Sequence, residues 1–194
     1  KILAKESLLS IGVQSPFILF VGTLEQRKKI KNLIKAFNQL KCKGAYEGQL
    51  VVCGMSGWKK EKILEGLDTK DLNEHIIFSG FLCDEDLCAL YNLTDVFAFP
   101  SFYEGFGYPI IEAFSCGAVT VTSNQSSCQE VASDAALCVN PHNSEEIADA
   151  LERCIDDPQL KKDLILRGQR RAKEFSHLIC AQKTLEVYQD VYEG

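Results

Sequence analysis

Phe17-Ile18-Leu19-Phe20-Val21-Gly22 is an unbroken apolar run closed by a glycine. It is too short for a buried helix and is rich in strand formers. A strand that is apolar at every position, not at alternate ones, has both faces covered, which points to a parallel sheet between helical layers. The pattern returns downstream. Further strands are expected at 49–53, 75–79, 95–99, 118–122 and 135–139. Between them lie helical spacings. In 30–41, Ile30, Leu33, Ile34, Phe37 and Leu40 fall on one helix face. Other helices are expected at 58–66, 84–92, from Gly107 to Cys116, from 144 to about 154, and at 158–173 and 175–192. Acidic first turns at Asp84 and at Glu145-Glu146, and Gly117 after Cys116, supply start and stop signals. The alternation predicts an α/β fold, a doubly wound Rossmann-like parallel six-stranded sheet with helices on both faces. Residues 1–194 read as one domain. In such sheets ligands bind outside the carboxyl ends of the strands, so the loops after strands one, three, four and five are the ones to read.

Composition narrows the function classes. The 194 residues carry a net charge of −6, which argues against nucleic acid as a partner. No apolar run approaches the ~20 residues of a membrane span, and no signal peptide opens the chain. A cytoplasmic location is expected. The chain opens on Lys1 and is read as a piece of a longer protein. The nine cysteines include no CxxC pair and mostly sit in apolar runs, as buried free thiols of a reducing compartment do. His75, His142 and His177 lie outside the ligand loops and are read as structural or exposed.

Three loops carry chemistry. Gly22-Thr23-Leu24-Glu25-Gln26-Arg27-Lys28-Lys29 places three bases at a helix start, where the macrodipole disfavours cations unless an anion occupies the site. A solvated basic corner is the alternative. The second loop, Pro100 to Pro109, runs into a helix and carries Glu104, Gly105, Phe106, Gly107 and Tyr108, with Glu112 beyond. Its glycines let a ligand approach the backbone, and two carboxylates suit the adjacent hydroxyls of a sugar. Alternatively, Glu104 partners the helix dipole and Glu112 is simply solvated. In the third loop, Ser79-Gly80-Phe81-Leu82, an apolar side chain beside glycine can cover a nucleobase or pack into the core.

Two stretches, FILFVGTLEQRKKIKNLIKAF and the segment from Ile76 to Val131, resemble the second domain of the family-4-type retaining glycosyltransferases. Glu104 and Glu112, separated by seven residues that include Gly-Phe-Gly, resemble that family's E-x7-E signature. The resemblance runs in order over almost the whole chain and implies one half of a GT-B fold. It implies that Arg27 and Lys28 hold the pyrophosphate of a nucleotide sugar. By the same resemblance Glu112 binds the ribose hydroxyls and Glu104 contacts the transferred sugar. Phe106 and Gly107 offer backbone N–H groups, and Phe81 and Leu82 edge the nucleobase pocket. Gly22, Thr23, Gly105 and Tyr108 complete the donor loops. Thr23, Lys29 and Ala118 depart from the usual residues of the pattern.

What the resemblance implies about activity is sugar transfer with retention to a glycan or lipid-linked acceptor. The first domain of the fold would hold the acceptor, and residues 175–194 resemble the C-terminal helix that crosses back to it. The piece alone is expected to bind nucleotide sugar and transfer little. The full-length enzyme is expected at the inner face of a membrane as a peripheral protein. No cofactor or metal is expected, because no Asp-x-Asp triplet lies in a strand-end loop. The first loop resembles that of transferases using GDP-mannose. Alternatives are a non-catalytic nucleotide-sugar-binding module, an epimerase or phosphorylase of the same fold, and a generic interaction domain.

Overall fold

The structure is a computed structural model and describes residues 8–9, 11–55, 65 and 75–193. Among the described residues six strands form one parallel sheet: β1 (Phe17–Val21), β2 (Gln49–Cys53), β3 (Ile76–Gly80), β4 (Val96–Phe99), β5 (Thr120–Ser123) and β6 (Leu137–Val139). Their order is β3-β2-β1-β4-β5-β6. The helices are α1 (Ile30–Cys42), α2 (Asp84–Leu93), α3 (Tyr108–Ser115), α4 (Ser126–Ala132), α5 (Ser144–Asp156), α6 (Pro158–Ala172) and α7 (His177–Glu193). A 3-10 turn, Gln26–Lys28, precedes α1. The doubly wound reading therefore holds. The helix expected at 58–66 lies outside the described residues apart from Glu65.

Full burial follows position in the sheet. β1, β4 and β5, in the middle, are buried at every residue. β3, on an edge, is not, and Ile77 and Phe78 reach partial or full exposure. The core is aromatic along one line. Phe20 stacks on Phe99 with ring centres 6.1 Å apart, Phe99 on Phe97 at 5.9 Å, and Tyr91 of α2 meets Phe97 edge-on at 5.2 Å. Residues 97 and 99 share a sheet face because strand side chains alternate.

One helix was not expected. α4 is short and its sequence, Ser-Ser-Cys-Gln-Glu-Val-Ala, is mostly polar. Only Cys128, Val131 and Ala132, at helical spacing, are buried. Helices of this length are marginal alone. Arg171 of α6 stabilises this one from outside, donating from Nε to the Val131 carbonyl at 3.1 Å and from Nη2 to the Glu130 carbonyl at 2.8 Å. At the other extreme, α7 presents Leu178, Leu185, Val187, Tyr188 and Val191 to solvent. No helix of the described residues is long and apolar enough to cross a membrane.

The sheet order turns back at β1. The chain adds β2 and β3 on one side, then returns to add β4, β5 and β6 on the other. The loops leaving β1 and β4 therefore lie side by side at the carboxyl ends of these strands, the switch point whose crevice binds ligands in such sheets. Close backbone contact fixes the first of these loops. The Gly22 amide donates to the Cys53 carbonyl at 2.8 Å. Gly54, at φ +144°, lies so near that a Cβ there would fall 2.3 Å from the Gly22 oxygen. Gly54→Ala should thus lower stability by roughly 2 kcal/mol or more. Urea unfolding measures it, and an unchanged midpoint would mean that the two strand ends separate freely.

Candidate functional site

The crevice between β1 and β4 holds a nest of charge. Lys28 is 7% exposed, and its Nζ lies 2.6 Å from Glu104 Oε1. Arg27 Nη1 donates to Glu104 Oε2 at 2.7 Å and to the Tyr103 carbonyl at 2.8 Å. Its Nε donates to Glu25 at 2.6 Å. Ser101, fully buried, donates from Oγ to Glu104 Oε1 at 2.7 Å. The Lys28 ammonium also sits 4.6 Å from the centre of the Phe99 ring, a favourable cation–π distance.

Local backbone puts these groups there. Lys29 takes a left-handed conformation, φ 53°, between the 3-10 turn and α1. Arg27 and Lys28 consequently lie in a separate turn before the helix, not in its first turn. The dipole conflict expected from the sequence does not arise in that form; Glu104 and Glu25 neutralise the cations directly. The solvated basic corner is excluded for Lys28, which points inward. Lys29 instead places its ammonium 5.4 Å from the Phe102 ring, which His142 meets edge-on. The second loop is tied to the first by the Phe102 amide, which donates to the Arg27 carbonyl at 2.8 Å. Ser126 and Ser127, opening α4, both donate to the Glu104 carbonyl, at 3.0 and 2.8 Å.

Glu112 stands apart from the nest. It is exposed on α3, where Tyr91 Oη donates to its Oε2 at 2.9 Å. Burial, then the Glu112 carboxylate, pushes the Tyr91 hydroxyl well above its ordinary range, so it stays protonated and donating. Glu112 lines a groove of about 1100 Å³ between α2, α3 and α7, together with Tyr91, Phe106, Tyr108 and His177. The two carboxylates thus lie in different surroundings, Glu104 among Arg27, Lys28 and Ser101 and Glu112 on the groove beside Tyr91. Gly107, φ 101°, begins α3, and no side chain caps that N-terminus. Phe106 is anchored by rings of Tyr108 at 4.8 Å and Phe175 at 5.5 Å. Phe81 is 78% exposed, which excludes packing into the core, while Leu82 packs partly against it. Gly22 and Thr23 lie at the mouth of the crevice, half-buried.

Residues 7–171 match the family described as glycosyl transferases group 1. The chain belongs to that family. Its relatives include O-antigen chain mannosyltransferase B of Escherichia coli, 34% identical over 172 residues, which cover 89% of this chain and 45% of the relative. Serotype-specific mannosyltransferase WbdA of Escherichia coli is 35% identical over 172 residues, 88% of this chain and 21% of the relative. The chain therefore spans less than half the length of these group 1 relatives. Among solved structures, sucrose-phosphate synthase of Thermosynechococcus elongatus superposes with a TM-score of 0.82 at 26% identity, over 97% of this chain and 49% of that one. HepE of Anabaena, solved with UDP and glucose, shares the fold at a TM-score of 0.80 and 22% identity, over 96% of this chain and 51% of that one. These likenesses fix the fold as one Rossmann-like half of a GT-B glycosyltransferase.

Arg27, Lys28 and Glu104, singled out in the sequence, do come together, but their supports are harder to read there. Ser101 lies in the second loop, at the Ser-x-x-Glu spacing that lets a hydroxyl reach a carboxylate. Tyr91 was legible only as a helix position. Ser126 and Ser127 belonged to an unexpected helix.

Burial alone would raise the Glu104 carboxyl. The hydrogen bonds from Lys28, Ser101 and Arg27 outweigh it and hold that carboxyl below the usual range. A depressed folded value stabilises the fold above the unfolded value, about 4.3 for glutamate, and that stabilisation is lost as pH falls through the folded one. Glu104→Gln should cost about 3 kcal/mol at neutral pH, since it strips Lys28 of its counter-charge. The variant should also lose less than the parent on acidification. Urea unfolding from about pH 7 to about pH 3 tests both, and parallel curves would refute the pairing.

Proposed function

We propose that this chain is the nucleotide-sugar-binding half of a glycosyltransferase that passes a hexose, with a lean to mannose, to a glycan or lipid-linked acceptor. One observation carries the reading: at the carboxyl ends of β1 and β4, two cations converge on a single carboxylate. Diphosphate oxygens attract the same guanidinium and ammonium. A diphosphate entering the crevice competes with Glu104 for Arg27 and Lys28. Binding would loosen the carboxylate and turn it towards the sugar attached to that diphosphate.

In this reading each group has a task. Arg27 and Lys28 stabilise the leaving diphosphate as the glycosidic bond breaks, with help from the uncapped start of α3. No metal is assigned to that task. Glu104 faces the transferred sugar, where positive charge develops. Glu112, aimed by Tyr91, takes the ribose hydroxyls. Gly105, Phe106, Gly107 and Tyr108 supply backbone contacts, and Phe81 and Leu82 edge the base. The mannosyl lean is supported by the names of the E. coli relatives, and retention of configuration by the E-x7-E resemblance. A second domain, facing the crevice and carrying the acceptor, would complete the site. Attachment of the full enzyme to a membrane face would suit a lipid-linked acceptor.

Thermal unfolding with UDP, GDP and their sugar derivatives tests the site. A ligand at a hundred times its dissociation constant adds about 2.7 kcal/mol, a shift of a few degrees. One nucleotide should give that shift, and both Lys28→Ala and Glu112→Ala should lose it. Full retention in Lys28→Ala would sink the assignment. Binding without any transfer by the full-length protein would favour a non-catalytic module instead.

A further inference from the structure

Two rungs join α2 to α3. On α2, Cys88 and Tyr91 lie one turn apart; on α3, Glu112 and Cys116 do. Tyr91 Oη meets Glu112 Oε2 at 2.9 Å, and the Cys88 and Cys116 sulfurs stand 3.9 Å apart. The Cys116 amide donates to the Glu112 carbonyl at 3.0 Å, so the thiol rung and the carboxylate rung share one helical turn. Cys88 is exposed and Cys116 half-buried, and both line the groove onto which Glu112 opens, as Cys180 does. Among the described residues no group of three His, Cys, Asp or Glu side chains is placed to hold a metal ion. The pair is therefore short of ligands for a metal, yet close enough for a sulfur–sulfur bond.

We propose that Cys88 and Cys116 are a dithiol modification site, which small disulfides such as oxidised glutathione convert to an intrachain disulfide that alters nucleotide binding through Glu112. The second half of this statement rests on Glu112 being a nucleotide-sugar ligand. The exposed Cys88 reacts first. Its thiol gives a proton to solvent, and the thiolate attacks one sulfur of the small disulfide. The other half leaves as a thiolate and takes up a proton. Cys116 then loses its proton and attacks Cys88 Sγ, displacing the second small thiol. The protein has lost two electrons, and one disulfide has become two thiols. Burial, then the nearby Cys88, pushes the Cys116 thiol up to about 11, so the second step should quicken as pH rises. Closing the gap from 3.9 Å to a bond of about 2.0 Å draws the end of α3 towards α2 and shifts the neighbouring Tyr91–Glu112 contact.

The test incubates reduced protein with oxidised glutathione, maps its peptides without reductant, and measures affinity for UDP and GDP before and after. A peptide linking Cys88 to Cys116 is expected. In Cys116→Ser a glutathione adduct on Cys88 should replace it. Affinity for the nucleotide that binds should change by about fivefold or more, revert with dithiothreitol, and stay constant in Cys88→Ser. No linked peptide, or one joining Cys88 to Cys180, overturns the site. A Cys88–Cys116 link with unchanged affinity overturns the coupling. If reduced protein binds neither nucleotide, the reading of Glu112 falls and the coupling with it, while the peptide map alone decides the thiol chemistry.

Discussion

A lysine ammonium is held inside this protein because a carboxylate lies 2.6 Å away. Desolvating either charge alone would cost several kcal/mol, so each is kept in place by the other. The pair dictates much of its surroundings. β1 and β4 must be neighbours, since Lys28 follows one and Glu104 the other. The chain must pass Gly22 and Gly54 at backbone contact to bring the first loop inward. Ser101 must be buried beneath the carboxylate, and α4 must begin where Ser126 and Ser127 can hold the loop carbonyl.

The aromatic line in the core connects this pair to Glu112. Lys28 rests on Phe99, Phe99 on Phe97, and Phe97 meets Tyr91, whose hydroxyl fixes Glu112. Close-packed interiors transmit small displacements, because filled space leaves little slack. The two carboxylates of the E-x7-E spacing are therefore positioned by one packed column as well as by the loop between them.

Local pattern made the sheet legible. Runs such as Phe17–Val21 and Val96–Phe99 are apolar throughout, and only a strand covered on both faces uses such a run at that length. α1 and α5 announce themselves by long amphipathic stripes. α4 did not, because much of its stabilisation comes from Arg171, about forty residues on in the chain. The direction of Lys28 was hidden for the same kind of reason. A basic triplet reads alike whether it faces solvent or core, and the left-handed turn at Lys29 sends Lys28 inward while Arg27 stays at the rim.

The sequence by itself determined the alternating architecture and the family, since each is written in contiguous residues or fixed spacings. Tertiary structure decided which groups meet. Glu104 and Lys28 are 76 positions apart and form a contact; Glu104 and Glu112 are eight apart and pair with different residues. Sequence distance constrains a strand or a helix because both are built from local hydrogen bonds. A site at a sheet's switch point is built from loops that only the strand order brings together.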